Sequence, residues 1–214
     1  MTDFVAQIEF LKQHSSYAQR WLNSHPDWVD WLRTQGAQKV DVIGIEDLLS
    51  PCRDALAAPE QDEAQFMADL RLARQRLMLW IAYRDLNGMA DLSEVTHALS
   101  HFAEEVVALS IAYIREDLRR RFGLPWSTVT DSEMPLMVVG MGKLGGYELN
   151  LSSDIDLIFT FPESGSTNHE SRVLSNQEFF TKLGQKLINS LDKVTADGFV
   201  FRVDMRLRPN GDSG

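Results

Sequence analysis

Hydrophobic residues recur at helical spacing over the first half of the chain and at strand spacing over the last third. From Asp62 to Asn87, Met67, Leu70, Leu77, Trp80 and Ile81 fall on one face of a 3.6-residue period, and Gly88 supplies the stop. A longer helix is predicted from Asp91 to Phe122, opened by Asp91 and Glu94 at capping-box spacing and ended by Gly123 with Pro125 beyond. The short link between the two predicts an antiparallel hairpin. Upstream, Ser24-His25-Pro26-Asp27 reads as a helix start with proline in the first turn. Trp28 and Trp31, three apart behind it, are assigned to core packing rather than to a partner patch. Pro51 and Pro59 bracket an irregular or short-helical connection.

The character changes at Leu124 to Pro135, where Leu-Pro-Trp-Ser-Thr-Val-Thr-Asp-Ser-Glu-Met-Pro reads as a linker. Beyond it the order is strand (Leu136 to Val139), glycine turn, short helix, strand (Asp154 to Phe161), loop, helix, strand (Phe199 to Arg208). The polar loop Pro162 to Leu174 is expected to be mobile. Ser175 and Glu178 form a capping box for a helix to about Lys193, with Phe179, Phe180, Leu183, Leu187, Ile188 and Leu191 as its core stripe. The expected class is α+β: a helical region over 1–124, a linker over 125–135, and a mixed sheet with helices over 136–214. No internal repeat or low-complexity tract interrupts it.

With 214 residues, 44% hydrophobic and 24% charged, the chain has the composition of an ordinary globular protein with one large or two small domains. No apolar stretch reaches the roughly eighteen residues of a membrane span. The opening Met-Thr-Asp-Phe-Val-Ala-Gln lacks the basic and apolar regions of a secretion signal. The single cysteine, Cys52, has no internal disulfide partner, so a cytoplasmic location is expected. A net charge of -10 argues against a broad nucleic-acid footprint.

Candidate chemistry concentrates in residues 140 to 156, Gly-Met-Gly-Lys-Leu-Gly-Gly-Tyr-Glu-Leu-Asn-Leu-Ser-Ser-Asp-Ile-Asp. On a strand, Asp154 and Asp156 share one face while Ile155 and Leu157 take the other. Two carboxylates about 5 Å apart repel by about 3 kcal/mol at an effective dielectric near 20, which a cation between them would resolve. Taken alone the pair also reads as a solvent-facing strand start with two incidental acids, and it is the glycines and a third acid that favour the cation. Oxygen ligands of this kind suit Mg²⁺ or Mn²⁺. A third acid lies in the last strand, where Phe199, Phe201, Val203, Met205 and Leu207 alternate with Arg202, Asp204, Arg206 and Arg208 from residue 202 onward. Its three arginines read either as an ion-pair ladder or as forks for phosphate oxygens.

Three other motifs are excluded. Gly140, Gly142 and Gly145 spell the dinucleotide fingerprint, but Gly146 to Ser153 is too short for the crossover helix which that unit requires. A P-loop needs Gly-Lys-Ser/Thr at its end, whereas Lys143 precedes the closing glycines. His97 and His101 have metal-pair spacing, yet Ala98 stands where a metalloprotease has Glu, and they are assigned to the helix surface or its packing.

A glycine pair in a turn, Asp-hydrophobic-Asp on the next strand, a helix, and a lone acid on a third strand resemble the nucleotidyltransferase fold. More narrowly, residues 136–161 and 197–214 resemble the bifunctional glutamine synthetase adenylyltransferase/adenylyl-removing enzymes. The ending Val203-Asp204-Met205-Arg206-Leu207-Arg208-Pro209, followed by Gly211-Asp212-Ser213-Gly214, is more like their N-terminal, adenylyl-removing half. Tyr147 and Leu151 depart from the family pattern near the turn. The family's chains are several times longer, so the sequence reads as an N-terminal fragment with its nucleotidyltransferase sheet truncated.

The resemblance implies that Asp154, Asp156 and Asp204 are catalytic and hold two divalent ions, Mg²⁺ or Mn²⁺. It implies that the backbone of Gly145 and Gly146, with Ser153, binds phosphate oxygens; Lys143, Arg206 and Arg208 are candidates for neutralising phosphate, the alternative being ion pairs with neighbouring acids. Asn150 and Ser152 are expected to shape the turn. The implied reaction is phosphorolysis of adenylyl-tyrosine on glutamine synthetase with release of ADP, within an enzyme that also adenylylates from ATP. Implied partners are glutamine synthetase, a PII-type signalling protein, ATP/ADP and phosphate, with no nucleic acid or membrane. The competing expectation is a regulatory module that docks glutamine synthetase or the PII-type protein with little turnover of its own.

Overall fold

The computed structural model describes residues 3–58 and 62–204. They pack as two compact units: the chain up to Phe102 together with Tyr147–Ser152, and Ala103–Gly146 together with the chain from Ser153 onward.

The first unit is helical, with α1 (Phe4–His14), α2 (Ser16–Ser24), α3 (Asp27–Gln35), α4 (Val42–Leu48), α5 (Ser50–Ala57), α6 (Glu63–Leu86) and the start of α7 (Leu92–Phe122). Side-chain caps fix where several of them begin. Asp3, Ser15, Asp41 and Asp62 each accept a backbone N–H from the first turn. The helix predicted from Asp62 to Asn87 is α6, with those two residues as its caps. Its burial exceeds a single face, because Leu70, Leu77 and Leu79 are fully buried and Arg71, Arg74 and Gln75 are buried beside them. A helix covered nearly all round is the axis of its unit. Trp28 stacks on Trp21 at 5.6 Å, and Trp31 meets Trp80 edge-on at 5.9 Å, so both predicted tryptophans pack internally. The connection after Pro51 is α5; Pro59 lies outside the described residues.

The link between α6 and α7 departs from the expected cap. Asp91 accepts the Glu94 N–H at 2.8 Å, but the Glu94 carboxylate turns inward instead of returning to Asp91. Buried, it accepts Arg84 Nε at 2.6 Å and the Val40 N–H at 3.1 Å. Arg84 also donates to the carbonyls of Ala37 at 2.8 Å and Met89 at 2.9 Å. The box is half formed because an interior arginine outcompetes the helix start for the carboxylate.

The second unit holds β1 (Trp126–Ser127), β2 (Ser132–Glu133), β3 (Met137–Met141), α8 (Gly142–Gly145), β4 (Ile155–Thr160), α9 (Asn176–Asp192) and β5 (Val203–Asp204). The architecture is α+β, as the sequence implies. The segment that reads as a linker carries the β1–β2 hairpin, with Glu133 ion-paired to Arg115 on α7. The main sheet has the order β3-β4-β5, the first pair antiparallel and the second parallel, with α9 as the crossover. Both halves of the Ser175–Glu178 capping box are present. Helix α9 covers one face of the sheet: Ile155 and Leu157 are buried there, Phe161 stacks on Phe180 at 4.9 Å, and a β-carbon at Gly184 would lie 3.0 Å from the Phe159 ring.

Two further segments differ from expectation. The loop after β4 is tied down: Thr167 N–H donates to the Leu174 carbonyl at 2.9 Å and Asn168 N–H to the Leu124 carbonyl at 3.0 Å. The last strand begins at Val203 rather than Phe199. Val200 and Phe201 are consecutive and both buried, and their N–H groups donate to the Leu191 carbonyl at the end of α9 at 2.9 and 3.1 Å. Closing that helix takes precedence over strand alternation.

Candidate functional site

Strand β3 runs into the glycine turn and β4 leaves the following loop antiparallel to it, so the turn is not the corner of a dinucleotide-binding unit. The pairing sets Met141 opposite Asp156, and the parallel pairing with β5 sets Asp204 on the other side of Asp156. Register partners point to the same face. Two acids distant in sequence therefore stand side by side, both half-buried, on the face opposite α9. Asp154 lies just before β4 and is exposed. Among the described residues no three His, Cys, Asp or Glu side chains meet as a finished ligand cluster. The two strand acids nonetheless offer an all-oxygen donor set on adjacent strands, which suits a hard divalent cation.

The glycine turn is shaped by close approaches. Gly142 has φ +54°, and a β-carbon there would stand 2.7 Å from Asp156 Oδ2. Gly145 passes so close to the preceding strand that a β-carbon would lie 2.7 Å from the Gly140 carbonyl oxygen. The Gly146 N–H donates to the Gly142 carbonyl at 3.1 Å and closes α8. Lys143 projects from α8 as an exposed side chain, and Ser153 is half-buried beside Asp154. The Asn150 carboxamide oxygen accepts both the N–H and the hydroxyl of Ser152 at 3.1 Å, so these two residues do shape the turn. Arg206 and Arg208 lie outside the described residues.

Gly142 is the residue that sequence reasoning passed over in favour of Gly145 and Gly146. Its signal was available: it is the glycine that directly follows the strand facing Asp156. Tyr147 holds φ +57° and sets its ring 5.7 Å from that of His97. His97 is exposed with Nδ1 2.8 Å from the Ser93 carbonyl, an ordinary helix-surface arrangement. Among the described residues no helix is long and apolar enough to cross a membrane.

Known proteins resemble this sequence. The family described as glutamate-ammonia ligase adenylyltransferase matches residues 5–214. A protein of Ralstonia nicotianae named bifunctional glutamine synthetase adenylyltransferase/adenylyl-removing enzyme is 45% identical over 209 residues, covering 98% of this chain and 22% of that protein. Like-named proteins of Aromatoleum aromaticum and Thioalkalivibrio sulfidiphilus are 47% and 52% identical, over 94% and 75% of this chain and 20% and 16% of their own lengths. The chain thus spans about a fifth of the length of the curated relatives it matches. With that similarity running from the helical unit through the acid-bearing sheet, the chain belongs to the glutamate-ammonia ligase adenylyltransferase family.

Proposed function

We propose that the acid-bearing sheet is a metal-dependent nucleotidyl-transfer site that removes AMP from adenylyl-tyrosine on glutamine synthetase by phosphorolysis. The observation that carries the reading is the register pairing of Asp156 with Asp204 beside the glycine turn, in a chain of this family. An oxygen of inorganic phosphate forms a bond to the adenylyl phosphorus as the bond from phosphorus to the tyrosine oxygen breaks. The phenol regains a proton and ADP leaves. In the longer protein the complementary reaction transfers AMP from ATP to the same tyrosine.

Asp154, Asp156 and Asp204 would hold the Mg²⁺ or Mn²⁺ ions. When bound, such ions neutralise charge on the phosphoryl oxygens and align the attacking group. Gly145 and Gly146 keep the main chain low enough for phosphate oxygens to approach, and Ser153 offers a hydroxyl. Lys143, Arg206 and Arg208 supply positive charge against the phosphates. A PII-type signalling protein is the expected regulatory partner, and a reaction that uses ATP and glutamine synthetase belongs in the cytoplasm.

The test is phosphate-dependent ADP release from adenylylated glutamine synthetase with Mg²⁺ or Mn²⁺, comparing this chain, a full-length protein carrying it, and Asp154→Asn in each. Release that vanishes in the full-length variant supports the reading. No release, with AMP still passing from ATP to glutamine synthetase through this site, would reverse the assigned direction. Partner binding without turnover in any form would instead favour a docking module.

A further inference from the structure

The face of the sheet that carries Asp156 and Asp204 also carries an apolar row on its flanking strand. Met141 pairs with Asp156, Val139 with Ile158 and Met137 with Thr160, so all six share that face. Met137, Val139 and Met141 are 44%, 45% and 37% exposed, whereas Ile155 and Leu157 on the opposite face are buried under α9. The row therefore contributes little to the core of its unit. A contiguous apolar strip that opens onto a pair of acids is a contact surface.

The two flanks of Asp156 differ in charge. On β5, Asp204 stands beside Asp156, and the exposed Arg202 precedes the strand. On β3, no charged side chain stands between Met137 and Met141. An adenylyl group has the same asymmetry, with an anionic phosphoryl end and a neutral, flat purine. Val139 lies two residues from Met141, roughly 7 Å along the strand, which is the order of the reach from phosphorus across ribose to base. The unbranched thioethers of the two methionines can adapt to a ring face.

We propose that Met141, Val139 and Met137 form the floor on which the adenosine of the adenylyl group lies, while the tyrosine of the protein substrate approaches over the β5 flank. This rests on the reading of Asp156 and Asp204 as the transfer site.

The test uses the full-length protein carrying this chain and follows phosphate-dependent ADP release in four forms: wild type, Val139→Gln, Val139→Leu and Asp156→Asn. Three competitors are compared: ADP, inorganic pyrophosphate and unmodified glutamine synthetase. In Val139→Gln the inhibition constant for ADP should rise by about tenfold, the effect of losing one apolar ring contact. Inhibition by pyrophosphate and by unmodified glutamine synthetase should not change, and Val139→Leu should keep the ADP value of wild type. An unchanged ADP constant overturns the proposal, as does an equal loss for ADP and pyrophosphate. Weakened inhibition by glutamine synthetase alone would give the row to the tyrosine-bearing partner. Asp156→Asn separates the two levels: full turnover in that variant sinks the transfer-site reading itself, whatever Val139 does.

Discussion

Gly142 and Asp156 face each other so closely at the corner of the sheet that a β-carbon on the glycine would stand 2.7 Å from Oδ2. Gly88 has a similar left-handed backbone, φ +69°, but a β-carbon there would have no neighbour within 4 Å among the described residues. Alanine at either position should cost about 1–2 kcal/mol of stability through the backbone. Only Gly142→Ala should also lower turnover, by at least about tenfold, because the Asp156 carboxylate must turn away. Thermal unfolding and ADP-release assays on both variants check this; equal activity in the two would remove the contact from the mechanism.

Asp156 and Asp204 stand side by side on neighbouring strands, so neutralising Asp156 should relieve repulsion between them while abolishing chemistry. Asp156→Asn and Asp204→Asn are expected to lose more than about 100-fold in turnover. Without divalent ions Asp156→Asn should unfold at or above the temperature of the unmodified protein. Added Mg²⁺ or Mn²⁺ should raise the unfolding temperature of the unmodified protein and leave both variants unmoved.

Arg84 and Glu94 form a buried pair, 5% and 7% exposed, that also secures the carbonyls of Ala37 and Met89 and the Val40 N–H. Removing one partner should cost about 3–5 kcal/mol, since the other is left buried and uncompensated. Urea denaturation of Glu94→Gln, Arg84→Met and the double variant Arg84→Met/Glu94→Met tests this, with the double variant recovering much of the loss. Additive losses would mean that the two groups do not act as a pair.

Glu116 accepts Arg119 Nε at 2.7 Å and Nη2 at 2.6 Å, and Arg120 at 3.2 Å. The Arg119 hydrogen bonds, followed by that from Arg120, pull its carboxyl from an ordinary 4.5 down to about 2. A lowered folded-state value stabilises the fold above the unfolded-state value and loses that contribution as pH falls. The end of α7 should therefore weaken between about pH 4.5 and about pH 2. An acid titration followed by circular dichroism should show less of this dependence in Glu116→Gln. An identical titration in the variant would assign the acid loss to other carboxylates.

The helices were legible because their signals are local. Helix α6 fills the span from Asp62 to Asn87 that the apolar pattern marks, and Ser175 with Glu178 forms the box that its spacing announces. The alternation around Asp156 was equally local, with Ile155 and Leu157 turning inward. What failed depended on pairing. The two-residue strands β1 and β2 lie in a Ser/Thr/Asp-rich stretch whose composition says only loop, and Arg115 on a distant helix holds their end. The run from Phe199 looks like a strand because apolar residues alternate, yet Val200 breaks the period by closing α9. The site shows both sides. Each acid could be picked from its own strand, whereas the register that makes Asp156 and Asp204 neighbours is set by the crossover through α9.

The double acceptance at the Leu191 carbonyl has a consequence for how the chain can vary. Between that anchor and β5 the backbone makes a small excursion, closed on itself by reciprocal hydrogen bonds between Thr195 and Gly198 at 2.9 and 3.1 Å, and exposed from Asp192 to Ala196. Because Val200 and Phe201 are stapled to the helix after the excursion ends, its length is uncoupled from the position of Asp204. This short surface turn is where an inserted reporter peptide or a fluorophore could sit without shifting the register of the paired acids.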